Sequence, residues 1–314
     1  MNNIKQIEVI YDNRLVGRLA LTKEGLCAFE YSAEWLGSGF SISPFELPLK
    51  SGVFIAKPRP FEGGFGVFDD CLPDGWGLLI LDRYLQQKNI NPRTLTLLDR
   101  LALVGSTGRG ALEFRPDHSV VTRQDYVDFE KLALEAEQIL DSDDYTGEGI
   151  EEFQDRGGSP GGARPKIFIR YDNKEWLVKF RAKRDPHNIG IDEYRYSLLA
   201  KQCGIEMPET RLFEDKYFGV ERFDRTSNGK LHVVSMAGLI GADYRLPSID
   251  YTHIFQVCAM LTHSVAELWK VYRLMVFNYL IGNKDDHAKN FAFIYRDGDL
   301  SLIHISEPTR HLRI

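Results

Sequence analysis

Cysteine is scarce in this chain of 314 residues. Cys27, Cys71, Cys203 and Cys258 are the only four, and no two form a CxxC pair. That excludes a zinc ribbon and a disulfide scaffold, and predicts small buried apolar groups in a reducing compartment. The eight histidines show no HxH or HxxxH spacing, so they offer no zinc site. A basic excess is also missing: the formal net charge is -6. A broad cationic surface for nucleic acid is therefore excluded, although a local patch is compatible with that balance. The start lacks a basic stretch followed by an apolar core, so no secretory signal is expected. The most apolar helical stretch, Leu268 to Ile281, is interrupted by Lys270 and Arg273 and is too short to cross a bilayer. These absences predict a cytoplasmic protein with no membrane partner. What remains is 43% hydrophobic and 27% charged, enough for a sizeable core in one large domain or two.

Period-two runs at IEVIYD, RLVGRLAL and LCAFEY, parted by Asp12-Asn13 and Lys23-Glu24-Gly25, predict an N-terminal β-meander. A Pro- and Gly-rich stretch over 37–75 follows. Helical spacing predicts helices over 76–87, 93–103 and 128–140. In the first, Leu78, Leu79, Leu81, Tyr84 and Leu85 form an apolar stripe. Residues 141–164 turn acidic and then glycine-rich, and the acidic half is expected to be a solvated linker. Beyond it come KIFIRY and EWLVKF, joined by Asp172-Asn173-Lys174 in a hairpin pattern. A helix from about Asp192 to Cys203, strands at TRLFED and YFGVERFDR, and helices near 250–260 and 264–281 follow. NKDDHAKN then forms a polar loop before a closing hairpin. Trp76, Trp176 and Trp269 sit in apolar patterns and are expected in the core. The fold class is α+β, and the second half presents its parts in the order of a protein-kinase-like fold.

Four constellations in that half suit phosphoryl transfer. In Asp285-Asp286-His287-Ala288-Lys289-Asn290, an Asp and an Asn stand at D-x-x-x-x-N spacing. A carboxylate there can take the proton of an attacking hydroxyl, an amide oxygen suits magnesium, and Lys289 can offset phosphoryl charge. A solvated turn has the same composition. Seven polar or charged residues in the eight of NKDDHAKN, pinned between two apolar elements, favour the functional loop. The second constellation is the glycine-rich run from Gly157 to Lys166, in which Gly161, Gly162, Ala163, Arg164 and Lys166 could cradle phosphates. It matches neither G-x-x-x-x-G-K-[ST] nor G-x-G-x-x-G, and a flexible linker fits it about as well. Third, Lys179 alternates against Val178 and Phe180 in the second hairpin strand, and Glu193 opens the next helix where it could pair with it. A strand-end lysine and a dipole-favoured helix glutamate are the plain alternatives. Fourth, Glu221 and Phe223 in VERFDR lie where a hinge would meet adenine, and an edge strand of alternating charge fits as well.

Together these segments resemble the HipA family of serine/threonine kinase toxins from bacterial toxin–antitoxin modules. The likeness runs to about Leu302 and is carried by FDDCLPDGWG (68–77), GALEFRP (110–116), SPGGARPK (159–166), DEYRYSLLAKQCGI (192–205), VERFDR (220–225) and IGNKDDHAKNF (281–291). The resemblance implies an N-terminal subdomain over 1–140, a linker and phosphate loop over 141–164, and a kinase-like core over 165–302. It implies ATP and Mg2+ as cofactors. It makes Asp285 the catalytic base, Asn290 a magnesium ligand, and His287 and Lys289 parts of the ATP-contacting loop. Lys179 becomes the ATP lysine, Glu221 and Phe223 the adenine contacts, and Ser159 the autophosphorylated serine whose modification ejects the loop. It also implies a protein substrate such as an aminoacyl-tRNA synthetase, and a small helix-turn-helix antitoxin through which operator DNA is met.

One departure stands out. The family continues past the last hairpin with a second metal-binding Asp and further helices, whereas no Asp follows Asp299 here. Residues 303–314 are therefore expected to be a non-native tail on a truncated core. A magnesium site with one fewer carboxylate should hold metal–ATP poorly. Two other functions stay open at this point: a small-molecule phosphotransferase on the same scaffold, and an inactive nucleotide-binding pseudokinase.

Overall fold

The computed structural model describes residues 4–120, 127–142, 145, 147, 149–157, 162–246, 248–283, 287–296 and 298–304. The chain opens with β1 (Gln6–Tyr11), β2 (Arg14–Leu21) and β3 (Cys27–Tyr31), then α1 (Ala33–Ser38), β4 (Val53–Ile55), α2 (Gly66–Asp69), α3 (Gly75–Gln87), α4 (Leu97–Val104) and β5 (Glu113–Arg115). Next are α5 (Phe129–Asp141), α6 (Gly149–Gly157), β6 (Lys166–Tyr171), β7 (Lys174–Lys179), α7 (Ile189–Gln202), β8 (Thr210–Phe213) and β9 (Tyr217–Glu221). Two short strands, β10 (Arg225–Thr226) and β11 (Gly229–Lys230), precede β12 (Val233–Ser235) and α8 (Met236–Ile240). The described chain closes with α9 (Tyr251–Thr262), α10 (Val265–Ile281), β13 (Phe291–Arg296) and β14 (Asp299–His304).

Larger sheets are antiparallel with orders β4-β3-β2-β1-β5, β6-β7-β9-β8 and β12-β13-β14. The β1–β2, β6–β7 and β8–β9 hairpins share one device. Asp12-Asn13, Asp172-Asn173 and Glu214-Asp215 all take positive φ, between 47° and 60°. That left-handed pair matches the twist of the flanking strands and is tolerated by short polar side chains. The expected helix over 93–103 is divided: a 3-10 turn spans Pro92–Thr94, and α4 begins afresh at a Thr96–Asp99 capping box.

Two cores hold the molecule together, and each draws on both halves of the sequence. In the first, Val9, Phe29, Phe68 and Phe114 pack with Met236, Leu239, Val271, Leu274 and Phe291. In the second, Trp76 and Ile80 join Leu132, Phe153, Ile167, Val178, Phe180 and Phe213. The acidic stretch is thus no plain linker. Within it, α6 buries Ile150 and Phe153 at i and i+3, and Arg156 is buried beside Glu152 at 3.3 Å. Two apolar positions in a nine-residue helix are too few for composition to reveal.

Two burial expectations also fail. Trp269 is 55% exposed and meets Tyr272 edge-on, because α10 is apolar on most sides and turns Val271, Leu274 and Phe277 inward instead. Cys203 is exposed, while the other three cysteines are buried. Among the described residues no helix is long and apolar enough to cross a membrane.

Candidate functional site

Strand β7, paired on both sides in the β6-β7-β9-β8 sheet, delivers Lys179 at its last position. Trp176 and Val178 face the core, so alternation turns Lys179 to the other side. Helix α7 brings Glu193, 2% exposed, to that face. Glu193 Oε2 lies 3.5 Å from Lys179 Nζ, and Glu193 Oε1 accepts a hydrogen bond from Arg164 at 3.0 Å. Arg164 also donates to both oxygens of Asp185, at 2.8 and 3.1 Å. A buried carboxylate shared by two cations keeps each side chain in one orientation. Lys166 begins β6, opposite Lys179 in register, and is 5% exposed.

The opposite wall comes from the segment between α10 and β13. Lys289, 6% exposed, reaches Asp69 Oδ2 at 3.0 Å and Asp74 Oδ2 at 3.2 Å, and lies 4.0 Å from the Tyr244 ring centroid. Burial works against its charge, but Asp69, Asp74 and Asp70 overcome that and raise its pKa above the ordinary lysine value. Asp69 is raised above the usual carboxylate range by burial, which outweighs Lys289. Burial acts on half-buried Asp74 in the same sense, yet Lys289 and the Gly162 N–H hold it below that range. Asn290, 7% exposed, donates its backbone N–H to the His287 carbonyl at 2.9 Å. His287 is half-buried, 6.4 Å from the Tyr244 ring.

Asp74 joins the two walls. It accepts hydrogen bonds from Lys289 and from the backbone N–H of Gly162 in the glycine-rich loop. The expected residues around 162–166, 179 and 289–290 thus lie along one connected path of contacts. Ala163 is exposed on that loop. Ser159, Gly161 and Asp285 fall outside the described residues.

VERFDR behaves differently from a bare ligand strand. The Glu221 carboxylate is taken by Lys174 at 2.8 Å, and its N–H donates to the Glu209 carbonyl at 2.8 Å. Arg222 pairs bidentately with buried Asp224 at 3.0 and 2.8 Å, and Asp224 also accepts from the Gly110 N–H at 2.7 Å and Arg225 at 3.0 Å. These groups staple the strand to the segment 108–110, and they hold the Asp224 carboxyl well below its usual range despite burial. Phe223 packs against Val233, Ala292 and Ile294. Side-chain contact to adenine from Glu221 would have to displace Lys174.

Sequence reasoning gave no role to Asp69, Asp74 or Tyr244. The first two lie in FDDCLPDGWG, whose Asp-Gly before an apolar helix was visible but reads as an ordinary helix start. Their shared partner, Lys289, stands 215 residues after Asp74 in the chain.

The HipA N-terminal domain matches residues 7–115, and the HipA-like C-terminal domain matches residues 158–303. The chain belongs to the HipA family. Both halves of the HipA architecture contribute to this path of contacts: Asp69 and Asp74 from the first match, Lys179, Glu193 and Lys289 from the second. Among curated proteins, the serine/threonine-protein kinase toxin HipA of Shewanella oneidensis is 23% identical over 308 residues, covering 85% of this chain and 66% of that one. The protein Y4dM of Sinorhizobium fredii is 28% identical over 139 residues, 39% of this chain and 34% of its own. The chain thus spans from about a third to about two thirds of these relatives' lengths. The solved Shewanella oneidensis HipA, in complex with HipB and operator DNA, superposes with a TM-score of 0.67 at 19% identity, over 95% of this chain and 74% of that one. The fold is therefore a mixed α+β HipA-like fold.

Magnesium finds only partial support in the donor set. Asn290 offers one hard oxygen ligand, but the described residues hold no cluster of three or more His, Cys, Asp or Glu. No step is assigned to the metal.

Proposed function

We propose that the cleft binds ATP and passes its terminal phosphoryl group to a serine or threonine hydroxyl of a protein, the chain acting as the kinase of a toxin–antitoxin module. The observation that carries this reading is the Lys179–Glu193–Arg164 cluster beside the glycine-rich loop. A half-buried lysine fixed by a buried helix glutamate next to a loop of close backbone approach suits the phosphates of a nucleotide.

In this reading Lys179 and Lys166 face the phosphates, and Gly161, Gly162, Ala163 and Arg164 form the covering loop. The Phe223 backbone N–H makes no hydrogen bond among the described residues and is offered to the base edge. His287 and Asn290 line the far wall, with Asn290 the place for a magnesium ion accompanying the nucleotide. Asp285 takes the proton from the attacking hydroxyl as its oxygen bonds to the γ-phosphorus, and ADP leaves with the bridging oxygen. Lys289, four positions after Asp285 in the same segment, is the cation assigned to offset charge, though it is shared with Asp69 and Asp74. Ser159 is assigned as the self-modified residue. The acceptor is assigned as a translation protein such as an aminoacyl-tRNA synthetase. The partner is assigned as a small helix-turn-helix antitoxin bound to operator DNA, by analogy with the HipA complex containing HipB.

The test incubates the full chain with γ-labelled ATP and a cell extract. Protein-bound label that disappears in Asp285→Asn and in Lys179→Ala supports the reading. ATP binding with no label on any protein, itself included, overturns it.

A further inference from the structure

Asp74 occupies the N-cap position of α3 but makes no side-chain bond to its own helix. An aspartate there ordinarily accepts from the second or third helical N–H. Here one oxygen accepts from the Gly162 N–H, 88 residues away, and the other from Lys289. The Trp76 N–H that the cap leaves open donates instead to the Gly162 carbonyl at 2.9 Å. The glycine-rich loop thus performs the capping of α3, and the capping aspartate holds the loop. Gly75 makes the dock possible: its φ is 46°, and a Cβ at that position would lie 2.6 Å from the Gly162 carbonyl oxygen. Gly162 itself has φ 88°. Asp69 serves as an internal contrast, since it reaches Lys289 at 3.0 Å with no hydrogen bond to the described residues of the loop.

We propose that Asp74 is a positioning residue that latches the glycine-rich loop to the Lys289 segment and so sets how deeply the loop closes over bound phosphates. The latch rests on the nucleotide-binding reading for its purpose, but not for its existence. An undocked loop would leave the Lys179 face open, and a docked one brings its N–H groups to a fixed depth. Asp74 thus acts through Gly162 and Lys289, not on substrate.

Hydrogen exchange on the nucleotide-free full chain tests this. In Asp74→Ala and in Gly75→Ala, exchange of the amides of residues 162–164 should rise about tenfold, the scale of one lost charge-assisted hydrogen bond. Asp69→Asn should change it less than about twofold, because it leaves the loop contacts intact. Asp74→Asn keeps an oxygen for the Gly162 N–H and should restore most of the protection. KM for ATP should rise in the same order, with kcat changing less. Unchanged loop exchange in both Asp74→Ala and Gly75→Ala overturns the latch. So does loss of the cooperative thermal transition in both, which would make the contact part of the fold itself. If the wild type shows the exchange pattern yet binds no nucleotide, the latch stands and the kinase reading fails.

Discussion

Lys179 and Lys289 stand at the two ends of one path of contacts, through Glu193, Arg164, Gly162 and Asp74, and are secured in opposite ways. Lys179 depends on Glu193, fourteen positions along and on the next element, and Glu193 keeps a second cation in Arg164. Lys289 depends on Asp69 and Asp74, which belong to the other end of the chain. The first arrangement is local and redundant. The second is remote, and its loss strands carboxylates in a buried site. The N-terminal half is therefore a component of the cleft and not an appendage to a kinase-like core. The same point follows from Asp70, which accepts from the Ser235 backbone and hydroxyl at 2.6 and 2.7 Å and pins α2 to α8.

The contrast breaks most directly at Lys289. Lys289→Ala leaves half-buried Asp69 and Asp74 without their cation, and should destabilise the fold by about 3 kcal/mol, the lower end for breaking a buried pair. Denaturant unfolding checks this, and a loss under about 1 kcal/mol would mean that water reaches the pair.

A second probe concerns the helix that carries Asp69. Glu46 accepts from the Gly66 N–H at 2.9 Å, and burial pushes its carboxyl up to about 7. The folded state therefore binds this proton more tightly than the unfolded state does. Its contribution is complete below the ordinary carboxylate range and is lost as pH rises through 7. Glu46→Gln should flatten that decline, gaining on the wild type by on the order of 2 kcal/mol between pH 4.5 and 8. Parallel stability curves for the two proteins would show Glu46 to be solvated.

Lys179→Ala should be milder for the fold, about 1 kcal/mol, because Arg164 still answers Glu193. Phosphoryl transfer should nonetheless vanish. Equal destabilisation by Lys179→Ala and Lys289→Ala would erase the distinction between the two lysines. The smallest effect belongs to a pair outside the cleft. Arg18 and Glu8 lie 3.4 Å apart on the outer sheet with both side chains exposed, so Arg18→Ala should stay within about 0.5 kcal/mol by thermal melting.

Legibility followed the range of the interaction. The Asp12-Asn13 and Asp172-Asn173 turns could be read because a hairpin's register is set by two adjacent residues. Lys179 and Glu193 were legible as a pair because strand alternation and a helix start are both local patterns. Helix α6 was not, since Ile150 and Phe153 gain their meaning only from Trp76 and Phe180 on other segments. Glu221 and Arg222 looked like a ligand strand because nothing in VERFDR announces Lys174, Gly108 or Gly110 as partners.

By itself the sequence determined the order of strands and helices, the turns between them, and which short motifs carry charge. These depend on backbone preference and on neighbours a few residues apart. Tertiary structure alone decided that Asp74 serves a distant glycine and lysine in place of its own helix, and that both cores are shared between the two halves. Burial strengthens a charge contact only where remote segments exclude water together, and no window of sequence contains both sides of such a contact.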